Sequence, residues 1–285
     1  MLPKTWHSIH APITSCVLEK HDLPLLYDIL NDKQLEVAQE IEQLIIKAPT
    51  ESDEQFERRR SGIRDAFVTL VSITAHDGKT IHGRSRDIFS NSLMPERIRS
   101  VLFSTSNALK SLGITPSNQA SLLLDFGRPP FVNMGVIPSA PTLNESNYDI
   151  EGKTEAWVTS LDVRLRNFFV ERATMRGWIH RRGTYDLLLI SVGLMGALWS
   201  SARLAPLVAF SNAPPIVMNG TYVYAFFLGL YLFRGLFDYT RWVFPLVEMK
   251  GARKDWAARQ RAFWWFLVAG LILAALYDAL KQAVL

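Results

Sequence analysis

The sequence predicts an α+β cytoplasmic domain, with a mixed sheet and helices, followed by an all-α transmembrane region of three helices. Three observations lead to this prediction: apolar runs near the end of the chain, mixed helical and strand patterns before them, and a difference in charge. Residues 1–180 hold 20 Lys and Arg against 22 Asp and Glu, whereas residues 181–285 hold 11 against 5. We therefore expect a cytoplasmic α+β domain at residues 1–180 and a transmembrane domain at residues 181–285.

Two helices are predicted first in the α+β domain. Residues 32–47 carry apolar side chains at helical spacing. Ser52 and Gln55 form a capping-box pattern, which predicts the start of a short helix that ends near Gly62.

A β-hairpin is predicted next. Residues 66–75 alternate and are rich in Val, Ile, Thr and Phe, which is typical of a strand. Asp77-Gly78 is a turn signal, so residues 79–84 are expected to return as the partner strand.

The following segment predicts a helix that begins near Pro95 and ends at Gly113. Its apolar residues follow helical spacing, at Ile98, Val101, Leu102, Leu109 and Leu112.

The rest of the domain predicts short strands, a loop and a last helix. Strands are expected at residues 120–126 and 148–152, with an extended segment at 131–137 and a Pro- and Asn-rich loop at 138–146. Thr159 is expected to cap the last helix.

Three apolar runs predict the membrane spans, at about residues 185–207, 217–236 and 262–280. Each provides close to the roughly 20 residues that a helix needs to cross the hydrocarbon core. The competing interpretation has two spans, with the second run lying in the membrane interface.

The basic residues predict the orientation. They lie before the first run and between the second and third runs, whereas residues 211–220 between the first two runs carry no charge. We therefore expect a multi-pass protein of the plasma (inner) membrane, with the N-terminal domain cytoplasmic and the C-terminus outside. Residues 242–261 are expected to run along the cytoplasmic surface, as a plain positive-inside loop in preference to a specific anionic-lipid site.

Six charged residues flank or enter the spans: Arg203, Asp278, Asp186, Arg234, Asp238 and Arg241. Arg203 lies about 27 Å along its helix from Tyr185, and Asp278 reaches a similar depth, so these two are expected to pair near the outer face. Asp186–Arg234 or Arg234–Asp238 pairs are expected at the inner face. Interfacial salt bridges are the favoured interpretation, and a polar path through an oligomer is the alternative.

No catalytic motif is found in the sequence, so we expect no catalytic, cofactor-binding or metal-ligating residues and no cofactor. Cys16 is the one cysteine, which excludes an intrachain disulfide and fits a reducing compartment. His76, Asp77 and His82 form a polar cluster at the predicted hairpin, where a metal site is the alternative to an ordinary polar tip. Because the excess basic residues flank apolar runs, we expect no nucleic acid partner.

Two stretches carry a resemblance. Residues 148–158 (YDIEGKTEAWV) with the following helix, and residues 237–245 (FDYTRWVFP), are similar to segments in a loosely defined group of bacterial membrane proteins. Members of that group place a cytoplasmic domain before two or three transmembrane helices. The resemblance implies architecture and no catalytic residues.

The leading functional hypothesis is a cytoplasmic sensing or binding domain coupled to transmembrane helices. Such a protein could act as an oligomeric, membrane-perturbing effector in stress or phage defence. The expected partners are the lipid bilayer and either further copies of the chain or a partner protein. The alternatives are a membrane anchor or scaffold subunit of a larger complex, and a membrane-tethered enzyme.

Overall fold

The computed structural model describes residues 5–90, 92, 94–106, 116–130, 139–208, 214–250 and 254–284. It confirms an N-terminal α+β region followed by three apolar helices. The chain forms two compact units, each built from three segments. We call residues 1–127, 144–174 and 246–253 the α+β unit, and residues 128–143, 175–245 and 254–285 the helical unit.

A six-stranded sheet forms the centre of the α+β unit. Its order is β1-β7-β6-β5-β3-β4, and every neighbouring pair is antiparallel, although we expected a mixed sheet. The strands are β1 (His7–Pro12), β3 (Leu70–Ala75), β4 (Thr80–Gly83), β5 (Ile98–Ser104), β6 (Asn118–Asp125) and β7 (Asn147–Gly152). The hairpin between β3 and β4 is the one that Asp77-Gly78 predicted, and Gly78 has the positive φ of 86° that its turn requires.

Among its described residues this unit has three α-helices: α1 (Asp22–Leu44), α2 (Asp53–Ala66) and α3 (Glu155–Glu171). Helices α1 and α3 contact each other, and their buried side chains join those of the sheet in one hydrophobic core. Helix α2 begins with the predicted capping box, in which Ser52 Oγ accepts from the Gln55 N–H and Gln55 Oε1 accepts from the Ser52 N–H.

The predicted helix from Pro95 is wrong over residues 98–104, which form strand β5; residues 107–115 lie outside the described residues. The spacing of Ile98, Val101 and Leu102 fits a helix, but Val101 and Phe103 also alternate as a strand requires, and both are fully buried. Pairing with β3 on one side and β6 on the other decides between the two patterns.

Other boundaries also differ. Helix α1 begins ten residues before the predicted start, because Leu23, Leu26 and Leu30 extend its buried face backwards and Pro24 is tolerated in a first turn. Helix α3 begins after Thr154, five residues before Thr159. The extended segment expected at 131–137 lies outside the described residues.

A second, two-stranded sheet joins distant parts of the sequence within the α+β unit. Strand β2 (Cys16–Leu18) pairs in parallel with strand β8 (Val247–Met249), which lies between the second and third apolar helices in sequence. The structure therefore corrects the expectation that residues 242–261 run along a membrane surface as one segment: 246–250 belong to the α+β unit.

Three stretches of the helical unit are long and apolar enough to cross a membrane: Thr184–Leu207, Pro215–Val243 and Ala257–Lys281. The first contains α4 (Thr184–Leu188), a π-helical turn (Leu189–Gly193) and α5 (Leu194–Val208). The second is α6 (Pro215–Val243) and the third is part of α7 (Lys254–Val284).

Helices α5 and α6 pack closely through small residues. A methyl group placed on Gly229 of α6 would lie 2.7 Å from Ser200 Oγ and 3.0 Å from Ala197 Cα, so only a glycine permits this approach. Helix α7 is different, because none of its most apolar stretch is buried and a methyl group on Gly270 would meet nothing within 4 Å.

Candidate functional site

The β2–β8 pair is the first candidate site, because it joins the connection between the last two apolar helices to the α+β core. The Cys16 N–H donates to the Leu246 carbonyl at 3.0 Å, and the Lys250 N–H donates to the Leu18 carbonyl at 2.7 Å. The side chains of Val247 and Met249 lie in the α+β core. The segment is thus held by backbone hydrogen bonds and by apolar burial together.

The thiol of Cys16, in strand β2, is buried and therefore unreactive while the pair is folded. Burial, with Asp22 adding to it and Arg172 opposing it, raises the pKa of the thiol to about 12. Because the thiolate is the reactive form, the folded thiol is protected from alkylation.

A cleft of about 220 Å³ lies beside β2 in the same unit. Cys16, Phe169, Val170 and Ala173 line it, and Tyr148 and Arg166 add polar groups. Burial, with Asp162 beside it, raises the pKa of Tyr148 to about 12, so its hydroxyl stays protonated and donates to Asp162 Oδ1 at 2.6 Å. The cleft offers a ligand an apolar wall that includes Cys16 of the β2–β8 pair.

A buried histidine forms the centre of the second candidate site, in the helical unit. His180 Nε2 lies 2.7 Å from the Phe244 carbonyl oxygen and Nδ1 lies 2.8 Å from Thr142 Oγ1. A carbonyl can only accept, so Nε2 carries the proton and Nδ1 of the neutral ring accepts from the Thr142 hydroxyl. Burial lowers the pKa of His180 to about 4, with the Phe244 carbonyl opposing and Arg241 adding to the shift.

Four arginines of the same unit lie close to aromatic rings, and one of them, Arg241, contributes to the lowered pKa of this histidine. Buried Arg241 donates from Nε to the Ile179 carbonyl at 3.2 Å and lies 4.6 Å from the Phe237 ring centre. Arg176 and Arg261 lie 5.6 and 5.7 Å from the Phe244 ring centre. Arg128 donates to the Trp242 carbonyl at 3.2 Å and lies over the Trp242 ring. We call Arg128, Arg176, Arg241 and Arg261, with their aromatic partners, the arginine collar.

The structure brings Arg203 and Asp278 together. Arg203 Nε donates to Asp278 Oδ2 at 2.8 Å, a second contact joins the other guanidinium and carboxylate atoms, and Trp199 Nε1 donates to the same carboxylate at 2.9 Å. These bonds hold one end of α7, while Trp264 Nε1 donates to Thr240 Oγ1 at 2.7 Å near the other end.

The other four charged residues of the spans lie at the end with the collar. Arg234 and Asp238 form a loose ion pair at 4.0 Å, and Asp186 accepts from Ser139 Oγ at 2.6 Å. Arg241 is in the collar. An interfacial position for these residues, which the sequence favours, stays a prediction.

His76, Asp77 and His82 are not gathered into one site. His82 Nδ1 bonds Ser72 Oγ across the hairpin, whereas Asp77 accepts from the Lys79 N–H in the turn. Among the described residues, no group of three or more His, Cys, Asp or Glu could hold a metal ion.

Sequence reasoning missed the β2–β8 pair and the role of His180. Strand β8 has three residues, too few for a periodic pattern, and the partners of His180 are 38 and 64 residues away. Comparisons of the chain with protein-family models, with curated proteins and with solved structures give no match. The function is therefore argued from these residues alone.

Proposed function

We propose that the α+β unit senses a signal and transmits it to the membrane helices through strand β8. The observation that carries this proposal is the position of β8 in the α+β core, five residues before helix α7 begins and four residues after helix α6 ends. A rearrangement of β2 would move its partner strand β8. Because short segments of the chain connect β8 to α6 and to α7, both helices would respond. The cleft beside Cys16 gives a ligand a place to cause that rearrangement.

The proposed response is a change in the bilayer by an oligomer, as in a bacterial stress or phage-defence effector. Helix α7 supports an oligomer, since its most apolar stretch is not buried within one chain. A second copy could pack against it where lipid otherwise would.

The proposed location is the bacterial inner membrane, with the α+β unit in the cytoplasm and the C-terminus outside. The distribution of Lys and Arg supports this orientation. The β2–β8 pair supports one part of it, the location of the segment between α6 and α7 on the same side of the bilayer as the α+β unit, because that segment completes the α+β core.

A disulfide across the β2–β8 pair tests the proposal. Val17 and Glu248 are register partners with half-buried side chains, so Val17→Cys with Glu248→Cys can lock the pair. The background is Cys16→Ala, a core substitution that the control shares. Cells that express the chain are challenged with phage infection and with envelope stress, and dye uptake reports permeability. Because the cytoplasm keeps thiols reduced, a membrane-permeable thiol oxidant is added to form the lock. We expect dye uptake before oxidation and its loss after oxidation.

The matched control places the disulfide in the β3–β4 hairpin, by Ser72→Cys with His82→Cys in the same background. This lock should leave dye uptake unchanged. A membrane that stays intact under every challenge, or that leaks equally with both locks, would reject the proposal.

The alternative, a membrane anchor or scaffold subunit, is favoured by the Arg203–Asp278 pair, which joins α5 to α7 near the helix ends. In this case, replacing residues 184–243 and 254–285 with unrelated helices, while keeping 244–253, preserves function. The β8 segment must be retained because it belongs to the α+β core.

A further inference from the structure

The arginine collar brings two cations from distant parts of the helical unit to one aromatic ring. Arg176 precedes the first apolar helix, Phe244 follows the end of α6, and Arg261 lies in the first turns of α7. Both guanidinium groups lie within 6 Å of the Phe244 ring centre. Trp264 meets the same ring edge to face at 5.4 Å.

A cation near the face of an aromatic ring is attracted to it, which favours the position of both guanidinium groups beside Phe244. Each guanidinium carries five N–H donors in a planar fork. Such forks match the oxygen geometry of a phosphate and can bind it through two parallel hydrogen bonds.

Positive charge dominates this end of the helical unit. The described residues there include nine cations, Lys254 and the arginines at 128, 176, 181, 182, 234, 241, 259 and 261, against three carboxylates, Asp186, Asp238 and Asp255. The difference of six charges is concentrated where the apolar helices begin or end, which is where lipid headgroups lie.

Exposed aromatic side chains mark the same level. Trp178 and Trp265 are 48% and 60% exposed, and the apolar faces of α6 and α7 continue from the collar. Tryptophan prefers the headgroup region, and exposed apolar helix surface suits acyl chains. A free phosphate would use only the arginines, whereas a phospholipid would use all three features.

We propose that Arg176 and Arg261, held by Phe244, bind the phosphate of an anionic phospholipid. Arg128 and Arg241 add to the positive electrostatic potential of the site, and the neighbouring apolar helix surface contacts the acyl chains. This site is independent of the proposed signalling role. It gives the basic residues a second role, lipid binding, in addition to setting the orientation of the chain in the membrane.

The test uses the full chain purified in a nonionic detergent. Native mass spectrometry measures binding of dioleoylphosphatidylglycerol and of dioleoylphosphatidylcholine. The variant is Arg176→Gln with Arg261→Gln, and the matched control is Arg99→Gln with Arg164→Gln, which removes the same charge from exposed positions of the α+β unit. Each arginine near an anionic lipid contributes about 1 kcal/mol, so removal of two should weaken phosphatidylglycerol binding about 30-fold. The control variant should bind almost as well as the wild-type chain.

A second variant, Arg176→Lys with Arg261→Lys, separates the effect of charge from that of the planar guanidinium group. It keeps the charge and should retain part of the binding, because lysine attracts a phosphate without the planar fork. Circular dichroism checks that each variant keeps the helical content of the wild-type chain.

Three results would overturn the assignment. The first is equal binding of the two lipids by the wild-type chain. The second is equal loss in the glutamine variant and the control. The third is displacement of phosphatidylglycerol by inorganic phosphate but not by sodium chloride of equal ionic strength, which would assign the site to free phosphate.

Discussion

The α+β unit and the helical unit place their apolar side chains in opposite ways. In the α+β unit, Leu23, Leu122, Leu124 and Ile150 are fully buried within the chain. In the three apolar helices, only 17%, 6% and 0% of the most apolar stretches are buried. The difference shows that one unit excludes its surroundings from a core, while the other offers its apolar surface to them.

The buried polar side chains of the helical unit also have a characteristic distribution. Three buried polar residues of the helical unit, His180, Arg241 and Thr240, lie near one end of the apolar helices. A fourth, Ser201 in α5, donates from Oγ to the Tyr222 carbonyl at 2.8 Å. The middle of α7 has no such groups, as expected for a segment without water. Five predictions follow from this comparison, each measured by unfolding of the purified full chain in detergent.

The largest effect is expected from Phe103→Ala in strand β5. Phe103 is fully buried in the α+β core, so its removal leaves a cavity and should cost about 3–5 kcal/mol of the free energy of unfolding. Chemical denaturation followed by circular dichroism measures it. Leu273→Ala, at a position that is 66% exposed in α7, is the control and should change stability little. Similar losses for both variants would contradict the comparison.

Met249→Ala tests whether the segment between α6 and α7 belongs to the α+β core. Met249 is buried in that core, so the change should cost about 2–3 kcal/mol and should speed alkylation of Cys16 by a maleimide. Met175, which is 91% exposed, provides the matched Met175→Ala control. An unchanged rate of Cys16 alkylation in Met249→Ala would place β8 outside the core.

Acidification tests the buried histidine of the helical unit. The pKa of His180 is about 4 in the folded chain and about 6.5 in the unfolded chain, so the unfolded chain binds more protons between these values. This contribution to stability is complete above pH 6.5 and is lost as the pH falls, by about 2 kcal/mol between pH 7 and pH 5. His180→Gln should remove that part of the pH dependence, and an identical pH profile in this variant would refute the assignment.

A methyl group tests the packing of α5 against α6. Gly229→Ala should cost about 1–2 kcal/mol because the added atom lies 2.7 Å from Ser200 Oγ and 3.0 Å from Ala197 Cα. Gly270→Ala adds the same atom where nothing lies within 4 Å, and it should be neutral or slightly stabilising. Thermal unfolding of the two variants side by side gives the answer, and equal melting temperatures would disprove close packing at Gly229.

The smallest effect is expected for the Arg203–Asp278 pair. Asp278 is mostly buried but Arg203 is half-exposed, so the coupling energy should stay below about 1 kcal/mol. A double-mutant cycle with Arg203→Gln and Asp278→Asn isolates this energy. A coupling of several kcal/mol would indicate a pair enclosed by protein, which is the environment of a gate.

Much of the helical unit followed from composition. An apolar run of about 20 residues has few ways to satisfy its backbone in a membrane other than a helix, so length and hydropathy predict the three helices directly. The contact between Arg203 and Asp278 followed from the rise per residue, which puts both at a similar distance along their helices. His180 did not follow, because its neighbours in sequence carry no information about Thr142 or Phe244.

The α+β unit was less predictable, and β5 shows why. Local signals identified the Ser52 capping box and the Asp77-Gly78 hairpin, since both depend on residues only a few positions apart. The apolar spacing in β5 fits a helix and a strand alike, and pairing with β3 and β6 decides between them.

The sequence by itself determined an α+β region followed by three apolar helices, because turn chemistry, capping and hydropathy act over short distances. Only the tertiary structure decided that β8 completes the α+β core and that His180 is buried between Thr142 and Phe244. The physical reason is that burial and strand pairing depend on residues brought together from far apart, so a short segment takes its structure from its partners.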